Sequence, residues 1–519
     1  MWLSSYLFTT IIWLIVVNAQ KYDPEDKYAK PFQPLAHITD RHNTCGQKGL
    51  VSDYSGYIAI AMQREPKAKI PLQGETPINE SANMFFWFFE ARHRPQEAPV
   101  VLFLNGGPGI SSVYRVFDGS GPCLIDWKGT IRPNPHSLNE YANVLYVDQP
   151  VGAGFSYGNA NFTDNLMAAD YLYAFMQHFY FEFPYFRESE FGIWTSDWGA
   201  TAGLALAQKI LNKNIGLKGS NETVDGELPI KLTMMGMESP KIDPPSQLAH
   251  MYMYMTKNPW LRVQWIDDGA MALEEYMQKL EPKLMRCGAR KKYNCKKELR
   301  AYRRALRSLT TPDDLRTEFD LWDLRDARHG SDRSRNIGMK HTPGAKWLND
   351  PKNQEYLGVT GGKLARGPIK FEPWNIDVLK PFSETQESDH QVLEIESQKR
   401  RTRKERRKRK DKNDDDLITN PVGLKWISQN ITVGSNRTFE TQPLVWDSFS
   451  FNSERHSRQL TLGEYITTKT FTFVNVKGAG HVIAEHKPKT LVKLFWALVR
   501  NKTLEVPVIP WRKDTELFQ

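Results

Sequence analysis

The chain has 519 residues, 40% of them hydrophobic and 12% aromatic, a composition that excludes a disordered or low-complexity protein. Its length exceeds what one hydrophobic core ordinarily serves, so a large domain carrying an inserted smaller one is expected. The formal charge of +9 does not mark a nucleic-acid binder, because residues 399–412 hold eleven Lys or Arg against only Glu405 and Asp411, and the rest of the chain is neutral.

The chain opens on an apolar run over residues 7–17, broken only by Thr9 and Thr10, and Val17-Asn18-Ala19 puts small residues where a signal peptidase reads them. A signal peptide over 1–19 is therefore expected, with cleavage after Ala19, although its n-region carries no Lys or Arg. No later segment has the roughly 18 apolar residues that a membrane span needs, so stable membrane insertion is not expected. Asn79, Asn161, Asn221, Asn430, Asn436 and Asn501 each open an N-glycosylation sequon. Cys45, Cys123, Cys287 and Cys295 make an even count that suits an oxidising compartment and allows three pairings, of which the local one between Cys287 and Cys295 is favoured. These features point to a secreted protein or to a secretory-pathway or vacuolar lumen.

Short apolar runs then alternate with helical patterns, which predicts an α/β fold. Residues 99–104 read as a buried strand ending in the turn Asn105-Gly106-Gly107-Pro108-Gly109. A second strand over 143–147 stops at Asp148-Gln149-Pro150. Apolar spacing predicts a helix over 166–179, a strand over 191–195, a helix over 199–213 and a strand over 232–235. From about 244 to 366 the strand runs give way to charged, Met-rich helical patterns, read as a helical cap over 245–365 inserted into a core made of 20–244 and 366–519. Residues 383–418 read as a disordered basic insertion in that core, since such a charge run cannot bury itself; Arg406-Arg407-Lys408-Arg409 is a sequence that a dibasic protease cuts. Near the end, a strand over 470–476 leads through Gly478-Ala479-Gly480 to His481 and a helix over 487–500 with Leu491, Leu494, Phe495 and Leu498 on one face. No spacing calls for a metal or a cofactor.

Four ordered blocks, Met84-Phe-Phe-Trp-Phe-Phe-Glu-Ala-Arg92, Leu104-Asn-Gly-Gly-Pro-Gly109 with Ser111 and Ser112, Val147-Asp-Gln-Pro-Val-Gly-Ala-Gly-Phe-Ser-Tyr157 and Gly478-Ala-Gly-His481, resemble the serine carboxypeptidases, nearest to the secreted fungal type. The resemblance implies an α/β-hydrolase with a mainly parallel central sheet and an inserted helical cap, acting on peptides. It implies that the Asn105 side chain, with Gly106 and the position of Ser196, binds a substrate's terminal carboxylate. It also implies that N–H groups of Gly107 and Trp198 form an oxyanion hole and that His481 is the catalytic histidine. The family's Cys in the glycine loop is Ile110 here, so one family disulfide is expected to be missing.

The nucleophile block departs from the family. Where the family reads Gly-Glu-Ser-Tyr, this chain reads Thr195-Ser196-Asp197-Trp198, so the serine position is Asp197 and Ser196 falls one place early. A slip that put Ser196 at the apex is the alternative alignment. The family's triad acid is expected in a loop after a strand over 430–433; Glu440 is the one acid in reach there. An aspartate attacking an amide would give a mixed anhydride that collapses back, and a histidine without its orienting acid loses control of its tautomer. Two readings follow. One is an inactive homologue that still recognises a peptide C-terminus or small molecule. The other is an active hydrolase, a carboxypeptidase or esterase, or an Asp-nucleophile enzyme akin to the epoxide hydrolases, using Asp197 and His481.

Overall fold

The computed structural model describes residues 9–16, 36–38, 43–46, 52–64, 78–219 apart from 163, 227–243, 339–378 with short gaps, 447–451, 460–467 and 471–500 apart from 478, with a few isolated positions. The chain divides into two compact units, Val17–Ile242 with Arg333–Leu393, and Met1–Val16 with Asp243–Asp332 and Glu394–Gln519.

In chain order the strands are β1 (Thr9–Val16), β2 (Ala36–Ile38), β3 (Asp53–Arg64), β4 (Ile78–Phe89), β5 (Val100–Leu104), β6 (Cys123–Ile125), β7 (Ile131–Pro133), β8 (Asn143–Val147), β9 (Tyr157–Gly158), β10 (Phe191–Ser196), β11 (Leu232–Glu238), β12 (Asp447–Phe451), β13 (Leu460–Thr467) and β14 (Phe471–Lys477). The helices are α1 (Asn165–Glu182), α2 (Gly199–Gly219), α3 (Pro343–Leu348), α4 (Pro351–Tyr356), α5 (Ile483–His486) and α6 (Pro488–Val499).

The first unit is built on a mixed sheet in the order β11, β10, β5, β8, β4, β3, β2, with β9 also pairing β4. Its centre is parallel, β11 on β10 on β5 on β8, and its outer strands are antiparallel. Every side chain of β5, β8 and β10 is buried, which is why these strands are continuous apolar runs rather than alternations: parallel strands are covered on both faces. The long hairpin of β3 and β4 has no counterpart in the sequence reading. The run Met84-Phe85-Phe86-Trp87-Phe88-Phe89 is wholly buried, so it lacks the period-2 signal that marks a half-exposed strand.

Helix α1 starts where the Asp164 side chain accepts the Met167 N–H at 2.8 Å, the N-cap that satisfies one of the orphan donors of a first turn. It ends at Phe183, the residue before Pro184, where a helical conformation is sterically disfavoured. α1 packs on α2, and Phe179 from α1 meets Phe88 of β4 edge-on at 5.1 Å. Residues 339–378, part of which falls in the expected cap, belong to this same unit: Trp347 of α3 stacks on Trp87 at 5.9 Å, and Ser55 of β3 donates to the Leu357 carbonyl at 3.0 Å. Of residues 245–338 only isolated positions are described. Cys45 and Cys123 form a disulfide with Cα atoms 5.1 Å apart; Cys287 and Cys295 lie outside the described residues, as do the whole basic insertion over 383–418 and its expected cleavage site.

In the second unit β12, β13 and β14 are consecutive antiparallel neighbours, and β1 pairs β14 antiparallel with Thr9 opposite Lys477 and Ile15 opposite Phe471. The segment read as the apolar part of a signal peptide thus lies as a strand; its β-branched run suits that conformation as well. α6 buries Leu491, Leu494, Phe495 and Leu498, the face expected from the sequence.

Candidate active site

Three loops of the first unit meet at the carboxyl ends of its parallel strands, where open α/β sheets bind ligands. They follow β5, β8 and β10. At the end of β10 the chain turns into α2 through Asp197, whose φ is +51°. Few non-glycine residues adopt a left-handed conformation, and Asp is among those that do. Asp197 is therefore the apex of a strand-to-helix elbow, while Ser196 remains in the strand, paired with Glu238 of β11. The alternative alignment with Ser196 at the apex is incompatible with this geometry.

Backbone bonds hold the apex. The Asp197 N–H donates to the Glu238 carbonyl at 3.2 Å, and the Asp197 carbonyl accepts from Ala200 at 3.1 Å and Lys241 at 2.9 Å. The Glu238 carboxylate is buried and faces Arg115 at 3.4 Å; Arg115 also pairs with Asp118 at 2.6 Å. Asp197 itself is 5% exposed.

The loop after β5 abuts this elbow. A Cβ on Gly106 would lie 2.4 Å from the Trp198 nitrogen, 2.5 Å from the Asp197 Cβ and 2.7 Å from the Ser196 carbonyl, so only glycine allows the two backbones to approach this closely. The Asn105 side chain is held in a fixed plane: its Nδ2 donates to the Ser111 carbonyl at 3.0 Å, and its backbone N–H donates to Ser112 Oγ at 3.0 Å. Gly107 follows Gly106 in sequence, and the backbone nitrogen of the buried Trp198 packs against Gly106. At Ile110 a strap takes hold of the loop. Ile110 bridges Trp374, Ser111 N–H donates to the Pro373 carbonyl at 2.9 Å, and Asn375 N–H donates to the Gly109 carbonyl at 3.0 Å. The Asn375 side chain also donates to the Gly152 carbonyl at 3.0 Å, joining the loops after β5 and β8.

At the end of β8 stands Asp148, fully buried. Its Oδ1 accepts from the Ser111 hydroxyl at 2.6 Å and the Val113 N–H at 3.1 Å, and its Oδ2 accepts from the Phe155 N–H at 3.0 Å. Burial is the dominant influence on this carboxyl and pushes it up to about 6 in spite of the hydrogen bonds that oppose the shift. Ser111, Ser112, Asp148, Arg115 and Glu238 receive no role in the sequence reading. The signal available for Asp148 is an acid closing an otherwise apolar strand and followed by a glycine-rich turn.

His481 lies in the second unit, 7% exposed, between β14 and α5. Just after it, His486 Nδ1 accepts from the Gly480 N–H at 3.3 Å. Glu440 and the expected strand over 430–433 lie outside the described residues, as do Asn221, Asn430, Asn436 and Asn501; Asn79 lies in β4, and Asn161 is exposed. Among the described residues there is no cluster of His, Cys, Asp or Glu that could hold a metal, and no helix is long and apolar enough to cross a membrane.

A sheet with a parallel centre, a left-handed elbow between strand and helix, and a glycine loop pressed on the elbow define an α/β-hydrolase. The serine carboxypeptidase family model matches residues 48–501, and the chain belongs to that family. It is 25% identical over 456 residues to carboxypeptidase S1 of Penicillium janthinellum, covering 88% of this chain and 96% of that one. It is 41% identical over 210 residues to carboxypeptidase Y homolog A of Arthroderma otae, covering 40% of this chain and 36% of the relative. The crystal structure of the prohormone-processing carboxypeptidase Kex1ΔP of Saccharomyces cerevisiae superposes with a TM-score of 0.64 at 17% identity, over 87% of this chain and 91% of that one, and shares the fold.

Proposed function

We propose that this chain is a degenerate serine carboxypeptidase homologue that has lost ordinary serine acyl-enzyme turnover and keeps a pocket for a peptide C-terminus. The observation that carries this reading is the φ of +51° at Asp197: the apex of the elbow bears a carboxylate, and the nearest serine lies behind it in the strand. Amide attack by a carboxylate forms a mixed anhydride, a better acyl donor than the amide it came from, so the step runs backwards. The binding half of the site is better supported. Asn105 is held by the serines at 111 and 112, and Gly106 packs on the Trp198 nitrogen, which keeps the segments that carry the Gly107 and Trp198 N–H groups side by side.

A second reading starts from the same carboxylate. An Asp at the elbow could attack an epoxide carbon, breaking its C–O bond to give an alkoxide that is protonated and an ester that water then hydrolyses. The sequons and the Cys45 to Cys123 disulfide favour a secreted protein or a secretory-pathway or vacuolar lumen for either reading.

The test is hydrolysis of a blocked dipeptide, a simple ester and an epoxide by wild type, Asp197→Ser and His481→Ala, with binding of the dipeptide measured alongside. The degenerate reading expects binding of the dipeptide without its cleavage by wild type, and little recovery in Asp197→Ser, because residues that act as a unit are not repaired singly. Dipeptide cleavage by wild type that His481→Ala abolishes would refute it. Epoxide turnover with a labelled ester on Asp197 would establish the second reading in its place.

A further inference from the structure

Asp148 is a buried carboxylate in the middle of the first unit's sheet. The groups packed against it are Ser111, Ser112 and Val113 from the loop after β5, Gly154, Phe155 and Ser156 from the loop after β8, and Phe85 from β4. None of these is charged or titrates near neutral pH, and Arg115, on the same short turn as Val113, is engaged by Asp118 and Glu238. Gly154 approaches so closely that a Cβ there would lie 1.9 Å from Asp148 Oδ2. The Ser156 hydroxyl donates to the Asp148 carbonyl at 2.6 Å and itself accepts the Phe85 N–H at 2.8 Å. The carboxyl and its own backbone thus clasp the two loops together over β4.

The donors around the carboxyl decide what its proton does. Ser112, Val113 and Phe155 present backbone N–H groups, which cannot accept a hydrogen bond. Ser111 Oγ already receives the Tyr114 N–H at 3.1 Å. Protonating Asp148 therefore turns the Ser111 bond round, so that the Ser111 hydroxyl hydrogen loses this acceptor, and it weakens the N–H bonds that the charged carboxylate had strengthened. The loss is transmitted onward, because the Ser111 carbonyl and the Ser112 hydroxyl are what hold the Asn105 amide and its backbone N–H.

We infer that Asp148 is a positioning residue for Asn105: its carboxylate fixes the turn at Ser111 and Ser112, that turn fixes the Asn105 amide, and recognition of a ligand carboxylate requires Asp148 to be ionised. The inference rests on the reading of Asn105 as the contact for a peptide C-terminus. Burial pushes the Asp148 carboxyl up to about 6, so the change falls in mildly acid solution, above the range in which the ligand's own terminal carboxyl titrates.

The experiment is calorimetric titration of the full chain with benzyloxycarbonyl-Phe-Leu and with its C-terminal amide, from about pH 4.5 to about pH 7.5, for wild type, Asp148→Asn and Ser111→Ala. Wild type is expected to prefer the acid by about tenfold at the upper end, the worth of one hydrogen bond to a charged group, and to lose that preference at the lower end. Asp148→Asn should show a weaker preference that no longer varies over this range. Ser111→Ala removes a bond that opposes the upward shift and should move the midpoint to higher pH. A wild-type preference that stays constant, or that follows the same pH profile in Asp148→Asn, overturns the inference.

Amide exchange at Val113 and Phe155 in the unliganded protein, corrected for its intrinsic pH dependence, reads the clasp without any ligand. Protection is expected to change as pH passes through about 6 in wild type and to stay constant in Asp148→Asn. If wild type binds neither ligand while exchange behaves as expected, the reading of the pocket fails and the clasp stands. Protection in wild type that does not change with pH overturns the clasp.

Discussion

Replacing Gly106 by alanine would push a methyl group into the floor of the elbow. The new Cβ would lie 2.4 Å from the Trp198 nitrogen, 2.5 Å from the Asp197 Cβ and 2.7 Å from the Ser196 carbonyl. All are inside van der Waals contact, and none belongs to the far end of a side chain that can swing away. Two of the three are backbone atoms of the segment that carries Asp197, pinned on its other side by the bonds to Glu238 and Lys241. The loop after β5 must therefore move away from the elbow or the elbow must distort, and overpacking of this kind costs about 1–3 kcal/mol. With three contacts under 3 Å, Gly106→Ala is expected at about 3 kcal/mol, a fall of roughly 6–12 °C in Tm for a unit of this size. Gly367→Ala is the control: a Cβ there meets nothing within 4 Å, and the change should stay within about 0.5 kcal/mol of wild type. Urea midpoints at unchanged slope would measure both. A Gly106→Ala protein as stable as Gly367→Ala would mean that the glycine loop is not pressed on the elbow and that the site described here is not assembled as stated.

The disulfide between Cys45 and Cys123 closes a loop of sequence separation 78, for which chain entropy gives about 4–5 kcal/mol; the Cys45→Ser, Cys123→Ser double variant should lose about 2–5 kcal/mol, measured by denaturant unfolding under non-reducing conditions, and an unchanged midpoint would contradict the bond. Asp148 carries a pH signature in stability as well. Its folded-state carboxyl is raised to about 6 from an ordinary value near about 4, so its contribution is complete below about pH 4 and is lost as pH rises through about 6. Relative to Asp148→Asn, wild type should lose up to about 3 kcal/mol across that window; a difference that does not vary with pH would show the carboxyl to be unshifted.

Much of the fold is legible in the sequence, for a definite reason. Strands β5, β8, β10 and β11 and helices α1, α2 and α6 stand within a few residues of where the apolar runs and helical spacing put them, because each is bounded by local chemistry: a glycine turn, an Asp cap, a proline. The elbow was also readable, since Thr195-Ser196-Asp197-Trp198 aligns with the family block without a gap and leaves Asp197 alone at the apex. The hairpin of β3 and β4 escaped because its buried aromatic run has no period, and only its pairing in the sheet identifies it. The bond between Cys45 and Cys123 is the one left over when Cys287 is paired with Cys295; residues so distant in sequence carry no mark of their own approach, and the fold brings these two within reach.

The sequence by itself determined that a strand and a helix meet at Ser196-Asp197-Trp198, and the φ of +51° made Asp197 the apex. The tertiary structure alone decided what holds the loops beside the elbow. Asp148, Ser111, Ser112 and Asn105 lie on two loops that follow different strands, and the strap at Asn375 joins them from much later in the chain. Hydrogen bonds between segments so far apart have no periodicity or spacing to betray them. They come into being when parallel strands set their carboxyl ends side by side and bury the polar groups there, which must then find one another.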